Sequence, residues 1–221
     1  MSPRRSAADA AHTREAIVAR AIQIASVEGL EGVTIGRLAS DLQMSKAGVL
    51  GRFGTKQELQ LTALEAAIEV FRREVWEPSA AAAPGLARLE AICGHWISYL
   101  ERPVFPGGCF LTAASCEFDG RKGPVHDAIE HALRLWLRTL QAEAQTAIAA
   151  GELPPDSNPA VIAFQLNSVA MGANQALQLL ADSDAVPTAR TAMRQTLGLG
   201  QPQTPVNPQA RGRKRRRPLN A

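Results

Sequence analysis

The chain lacks what several kinds of protein require. No apolar run approaches the roughly 20 residues needed to cross a bilayer. No apolar core follows Arg4 and Arg5, as a secretory leader would demand. The expectation is a cytoplasmic protein with no membrane partner. Cysteine is scarce: Cys93, Cys109 and Cys116 are odd in number and show no CxxC spacing. A disulfide framework is not expected, and thiols of this kind usually pack as small hydrophobes. Sustained apolar–polar alternation is missing, which removes the main strand signal. There is no glycine-rich phosphate loop, no HExxH and no GxSxG. Cys93 and His95 stand two apart, and His126 and His131 five apart, so neither pair shares a helix face suited to one ion. No enzymatic activity, cofactor or metal site is expected.

What remains is helix. Hydrophobic residues make up 46% of 221, enough for a real core, with alanine and leucine prominent. Charge is unevenly placed. Residues 1–60 carry eight basic and six acidic side chains, residues 61–200 ten and fifteen, and the last 21 residues six and none. A mildly basic start, an acidic middle and a cationic end fit a polyanion binder whose bulk stays clear of the polyanion.

Helix signals place the elements. Thr13 is positioned to cap a first helix carrying Ile17, Ala21, Ile24 and Ala25 on one face, with Gly29 at its end. Thr34 caps a short second helix with Ile35, Leu38, Ala39 and Leu42 in register. Ser45 caps a third, in which Val49 and Phe53 face inward and which Gly54 stops. Thr55 with Glu58 forms a capping box opening a fourth helix to about residue 76. Pro78 and the following alanines read as a loop. Further helices are expected over about 86–100, 109–117 and 125–150. Asn158 with Pro159 opens an eighth, and Pro187 a ninth.

Two short helices joined through Gln43, Met44 and Ser45, and backed by a longer one, form a helix-turn-helix pattern, which lays its second helix in the DNA major groove. The stretches Gly29 to Ala39 and Met44 to Leu59 resemble the tetracycline-repressor (TetR) family. Thr34, Ala39, Ser45-Lys46, Phe53 and the Thr55-Lys56-x-x-Leu59 run stand in register with the family signature. Three positions depart from it: Leu50 stands for the usual Tyr, Gly51 for a commonly large residue and Arg52 for the usual His.

The resemblance implies an all-α protein: a three-helix helix-turn-helix head and a six-helix body that binds ligand and dimerises. The expected divisions are a disordered arm over 1–12, the head over 13–54, the body over 55–198 and a disordered basic tail over 199–221. Implied DNA contacts are Thr34, Arg37, Ser45, Lys46, Ala47, Gly48, Leu50, Gly51, Arg52 and Lys56. Helix N-termini and lysines suit phosphates, while Arg52 could take the phosphate that the usual Tyr would hold or reach a guanine edge. Gly48 and Gly51 read equally as groove approach or as tolerated surface glycine.

For the body, Trp96, Cys109, Phe110, Cys116, Trp136, Asn167, Met171 and Asn174 are candidates to line a ligand pocket. Leu166, Ala170, Ala173, Leu177 and Leu180 form a stripe assigned to the dimer interface. The partners implied are a palindromic double-stranded operator, an unidentified small-molecule effector and a second copy of the chain. Two other readings stay open. Cys109 or Cys116 could make the regulator a redox or electrophile sensor, although Glu117 beside Cys116 works against a depressed thiol pKa. An all-helical enzyme or binding module would not touch DNA at all. The run over 211–217, six of seven residues basic, reads as a solubilising end or as an accessory phosphate-binding arm.

Overall fold

In the computed structural model, residues 3–102 and 104–200 are described. The basic run expected to act as tail or arm lies outside them. Every regular element among the described residues is helical, and no helix is long and apolar enough to cross a membrane.

The head comprises α1 (Pro3–Glu28), a 3-10 turn (Leu30–Gly32), α2 (Ile35–Asp41) and α3 (Lys46–Phe53). Its caps follow the sequence. The Thr34 hydroxyl accepts from Arg37 N at 3.2 Å and the Ser45 hydroxyl from Gly48 N at 3.0 Å. The capping box of Thr55 and Glu58 is present and opens α4 (Lys56–Phe71). The first helix differs from expectation: it begins at Pro3, ten residues before Thr13. No glycine or proline interrupts residues 4–12 and four of them are alanine, so nothing there favours leaving the helix. Thr13 caps nothing; its hydroxyl donates back to Asp9 O at 2.6 Å.

Beyond Phe71 the rod does not stop at a loop. It widens into a π turn (Arg72–Trp76) and continues as α5 (Glu77–Ala80). Pro78, expected in a loop, sits in the first turn of α5, where its missing N–H follows a change of hydrogen-bond register. The body is completed by α6 (Leu86–Glu101), α7 (Phe110–Phe118), α8 (Pro124–Ala149), α9 (Pro159–Leu180) and α10 (Ala185–Thr196). Asn158 caps α9 as read, its side chain accepting from Ala160 N at 2.9 Å. The last helix starts two residues before Pro187, which its first turn tolerates.

α1 packs on α4, α2 on α3, and α9 on both α8 and α10. One continuous apolar core runs from Ile17 and Leu38 in the head to Leu140 and Met193 in the body. The head therefore sits on a rod whose far half belongs to the body core.

Candidate nucleic-acid interface and body cavity

Burial of Val49 and Phe53 fixes how α3 presents itself. Lys46, Ala47, Leu50 and Gly51 are left exposed on one face, and the space around Gly51 is open. Lys46 has no ion-pair partner among the described residues. Arg37 and Lys56 are engaged. Arg37 pairs with Glu28 and lies 3.8 Å from Asp41. Lys56 Nζ donates to Glu31 Oε2 at 2.9 Å and to Glu31 O at 3.1 Å. That hydrogen bond, with a second from Gln60, holds the Glu31 carboxyl below its ordinary range. Arg52 lies off the exposed face. It is half-buried, its Nε has no acceptor, and it borders an open groove with Arg14, Phe53 and Glu65. A helix turns 100° per residue, so position 52 points away from 46, 47 and 50. That geometry sets Arg52 apart from the exposed face that carries Lys46, Ala47 and Leu50.

The body holds a cavity of about 40 Å³ between α4, α6, α7, α8 and α9. Five of the eight expected pocket residues line it: Trp96, Cys109, Trp136, Asn167 and Met171. Three do not. Phe110 is buried against Phe105 in the core, with ring centroids 5.8 Å apart. Cys116 faces solvent. Asn174 is turned to a structural task, its Oδ1 accepting from Cys109 N at 2.7 Å. Sequence reasoning missed Phe71, Leu111, Thr112, Ser115, Ile129, Ala132 and Leu133. Ile129, Ala132, Leu133 and Trp136 fall at i, i+3, i+4 and i+7, a stripe that was available to find this wall.

Aromatic rings dominate the cavity. Trp96 and Trp136 stand edge to face at 5.1 Å, and Phe71 meets Trp136 at 5.0 Å. Both indole nitrogens are buried without an acceptor. An outer cleft of about 350 Å³ shares Phe71, Leu111, Ala132 and Trp136 with the inner cavity and extends to Trp76 on the π turn.

The thiols differ in setting: burial pushes Cys93 up to about 12, which leaves it protonated and unreactive. His126, Asp127 and Glu130 bring three possible ligand atoms within 4.8 Å of one another, a grouping the spacing arguments did not single out. Glu130 is already engaged by Arg134, at 2.8 and 2.6 Å.

α7 ties cavity to head. Its first turns supply Leu111, Thr112 and Ser115 to the cavity. Near its end, Glu117 accepts from Leu30 N at 2.7 Å and Glu31 N at 2.9 Å. Those are free N–H groups of the 3-10 turn, so the carboxylate acts as a cap supplied from the body. Gly29 permits the approach, since a Cβ there would lie 2.6 Å from Glu117 Oε2.

The stripe assigned to dimerisation is placed differently. Leu166, Ala170 and Ala173 are buried inside the protomer, Leu177 is partly buried, and only Leu180 is exposed. They pack against neighbouring helices of the same chain because α9 is central to the body. The exposed stripe of α9 is instead Val161, Phe164, Ser168, Gly172, Gln175 and Leu179.

A helix-turn-helix head on an all-helical body with an apolar cavity is the architecture of a DNA-binding transcriptional regulator. Residues 85–193 match the family described as "Tetracyclin repressor-like, C-terminal domain". A TetR transcriptional regulator from Chloroflexus aurantiacus is similar over 86% of this chain and 96% of its own, at 25% identity and a TM-score of 0.79. A TetR-family regulator from Cytophaga hutchinsonii matches over 86% and 95%, at 19% identity and a TM-score of 0.74. AibR, in complex with isovaleryl coenzyme A and operator DNA, matches over 80% and 96%, at 19% identity and a TM-score of 0.65. No curated protein matches significantly in sequence. The chain belongs to the TetR family of transcriptional regulators.

Proposed function

We propose that this regulator binds a palindromic operator as a homodimer and is released from it by a small molecule held in the body cavity. The observation that carries the reading is α7, which lines the cavity with one end and caps the head with the other. A ligand that enlarges the cavity would displace Leu111, Thr112 and Ser115, and with them the Glu117 carboxylate. The α4 rod runs from the head past Phe71 in the same cavity wall and gives a second route.

DNA is contacted through the exposed face of α3, with Lys46 at its N-terminus, Ala47, Gly48, Leu50 and Gly51 toward the groove, and Thr34, Ser45, Arg37 and Lys56 toward phosphates. A dimer must set its two recognition helices about 34 Å apart to meet successive major grooves. Release is a population shift: the ligand favours the conformer with the wrong spacing. Moving the population from 1:99 to 99:1 requires a difference in ligand affinity of about 5.5 kcal/mol. AibR, solved with both an acyl coenzyme A and operator DNA, supports the view that one such fold serves both partners.

The test is a mobility-shift selection from genomic fragments with the full-length chain, repeated with a small-molecule extract. A retarded fragment containing an inverted repeat, released by extract, is expected. Uniform weak retardation of all fragments, unaffected by extract, would refute the reading.

A further inference from the structure

The ligand site is short of charge and long on donors. No Asp, Glu, His, Lys or Arg lines the inner cavity; apart from the indoles, its polar members are Cys109, Thr112, Ser115 and Asn167. Two of these are already bonded internally: Ser115 Oγ donates to Thr112 O at 2.9 Å, and Asn167 Nδ2 contacts Met171 Sδ at 3.3 Å. The indole N–H groups of Trp96 and Trp136 are different. Each is buried with no acceptor, and Trp96 as a whole is only 4% exposed. An indole nitrogen donates and never accepts, so its partner must bring a lone pair.

From these groups we infer that the effector is an uncharged, mainly apolar molecule with a carbonyl-type acceptor, recognised by the indole N–H groups of Trp96 and Trp136. An anion would lose its water with no cation in the lining to replace it, and a cation would meet no carboxylate. A pure hydrocarbon would leave both donors unsatisfied. The inner space of about 40 Å³ accommodates only a few waters, so a ligand must also use the outer cleft. Trp136, with Phe71, Leu111 and Ala132, borders both spaces, so one ligand occupying both would lie against its ring. The single charge on the cleft wall, Arg72, is held by Glu69 and Glu77 at 2.5 Å each, so the cleft does not invite anions.

This inference rests on the ligand-responsive reading above, and its test separates the two. Acetophenone, its acceptor-free counterpart α-methylstyrene, and benzoate are titrated into the full-length protein labelled with 15N at tryptophan, following the indole N–H resonances. Acetophenone is expected to bind at least tenfold tighter than α-methylstyrene and to move the Trp96 and Trp136 protons downfield, with benzoate weakest. Trp96→Phe keeps an aromatic ring and removes the donor, and it should cut the ketone preference several-fold. If that variant fails to fold, the three-probe comparison on the unaltered chain decides alone. Equal binding of ketone and hydrocarbon, preference for benzoate, or no movement of either resonance at the ketone's solubility limit overturns the inference. Operator binding is measured in parallel. Selective operator binding without ketone preference sinks the ligand class alone, whereas ketone preference without selective operator binding sinks the regulatory reading alone.

Discussion

Glu117 caps Leu30 across 87 residues of sequence: its Oε2 accepts the Leu30 N–H at 2.7 Å while Oε1 accepts that of Glu31 at 2.9 Å. Hydrogen bonds to an ionised group are worth more than neutral ones, and the groups they satisfy would otherwise be free at a helix start. Glu117→Ala should therefore cost about 1–3 kcal/mol. It should also weaken ligand-driven release more than operator affinity itself, because it cuts a link and leaves the α3 surface intact. An unchanged melting temperature in calorimetry would show that the cap carries little.

Lys56 and Glu31 make a second prediction, about pH and salt. The Glu31 carboxyl is held below its ordinary value of 4.5, chiefly by the Lys56 hydrogen bond. A depressed folded-state pKa contributes stability above the ordinary range, lost as pH falls through the lowered value. Glu31→Gln should flatten that acid limb of the stability curve. Freeing Lys56 should also tighten non-specific DNA binding and steepen its salt dependence, by up to about 0.9 in log–log slope per added phosphate contact. Lys56→Ala should shift the slope the other way, equally for all sequences. Identical slopes for all three proteins between 50 and 200 mM salt would place Lys56 away from the phosphates.

Gly107 is pressed against α1, so closely that a Cβ would overlap the Ser26 carbonyl group. The clash is with backbone and cannot be relieved by a rotamer. Overpacking usually costs about 1–3 kcal/mol, and this site belongs at the top of that range. At about 3 kcal/mol, Gly107→Ala should lower Tm by roughly 6–12 °C. A variant that melts with the parent would mean that the loop moves freely off α1.

Gly51 is the opposite case, with open space where its Cβ would be. Gly51→Ala should stabilise α3 by roughly 0.5–1 kcal/mol. If the groove wall approaches this backbone, operator affinity should fall even as Tm rises. A gain in both would mark Gly51 as a tolerated surface residue.

Several local features were legible in the sequence because a short-range rule decides them, although the same rule misplaced a cap at Thr13. The caps Thr34, Ser45, Thr55 and Asn158, and the inward pair Val49 and Phe53, follow from neighbours three or four residues away. The cavity was half legible: Trp96 and Trp136 could be named as large aromatics, but Asn174 could not be told from a ligand contact. Its partner, Cys109 N, lies 65 residues away. The π turn after Phe71 and the Glu117 cap left no periodic trace, since each depends on how distant segments meet. The setting of Arg52 was not legible either: its place in the motif does not say that it borders a groove shared with Arg14 and Glu65.

The choice of stripe on α9 shows the same limit and carries the last prediction. Small and apolar residues occur on two faces of this helix, and periodicity alone does not say which one meets its own protomer. Leu166, fully buried, belongs to the inner face, so Leu166→Ala should cost about 2–5 kcal/mol while leaving a dimer. Phe164 and Leu179 are 69% and 73% exposed and lie on the outer face with Val161. Large apolar side chains this exposed on one helix face suit an interface. In a two-fold contact each patch meets its own copy, so Phe164→Arg would bring two like charges toward one another across the axis. That variant should sediment as a folded monomer, with helical circular dichroism retained and operator affinity sharply reduced, because a single head spans only one half-site. A Phe164→Arg protein that remains dimeric would move the interface away from the outer face of α9.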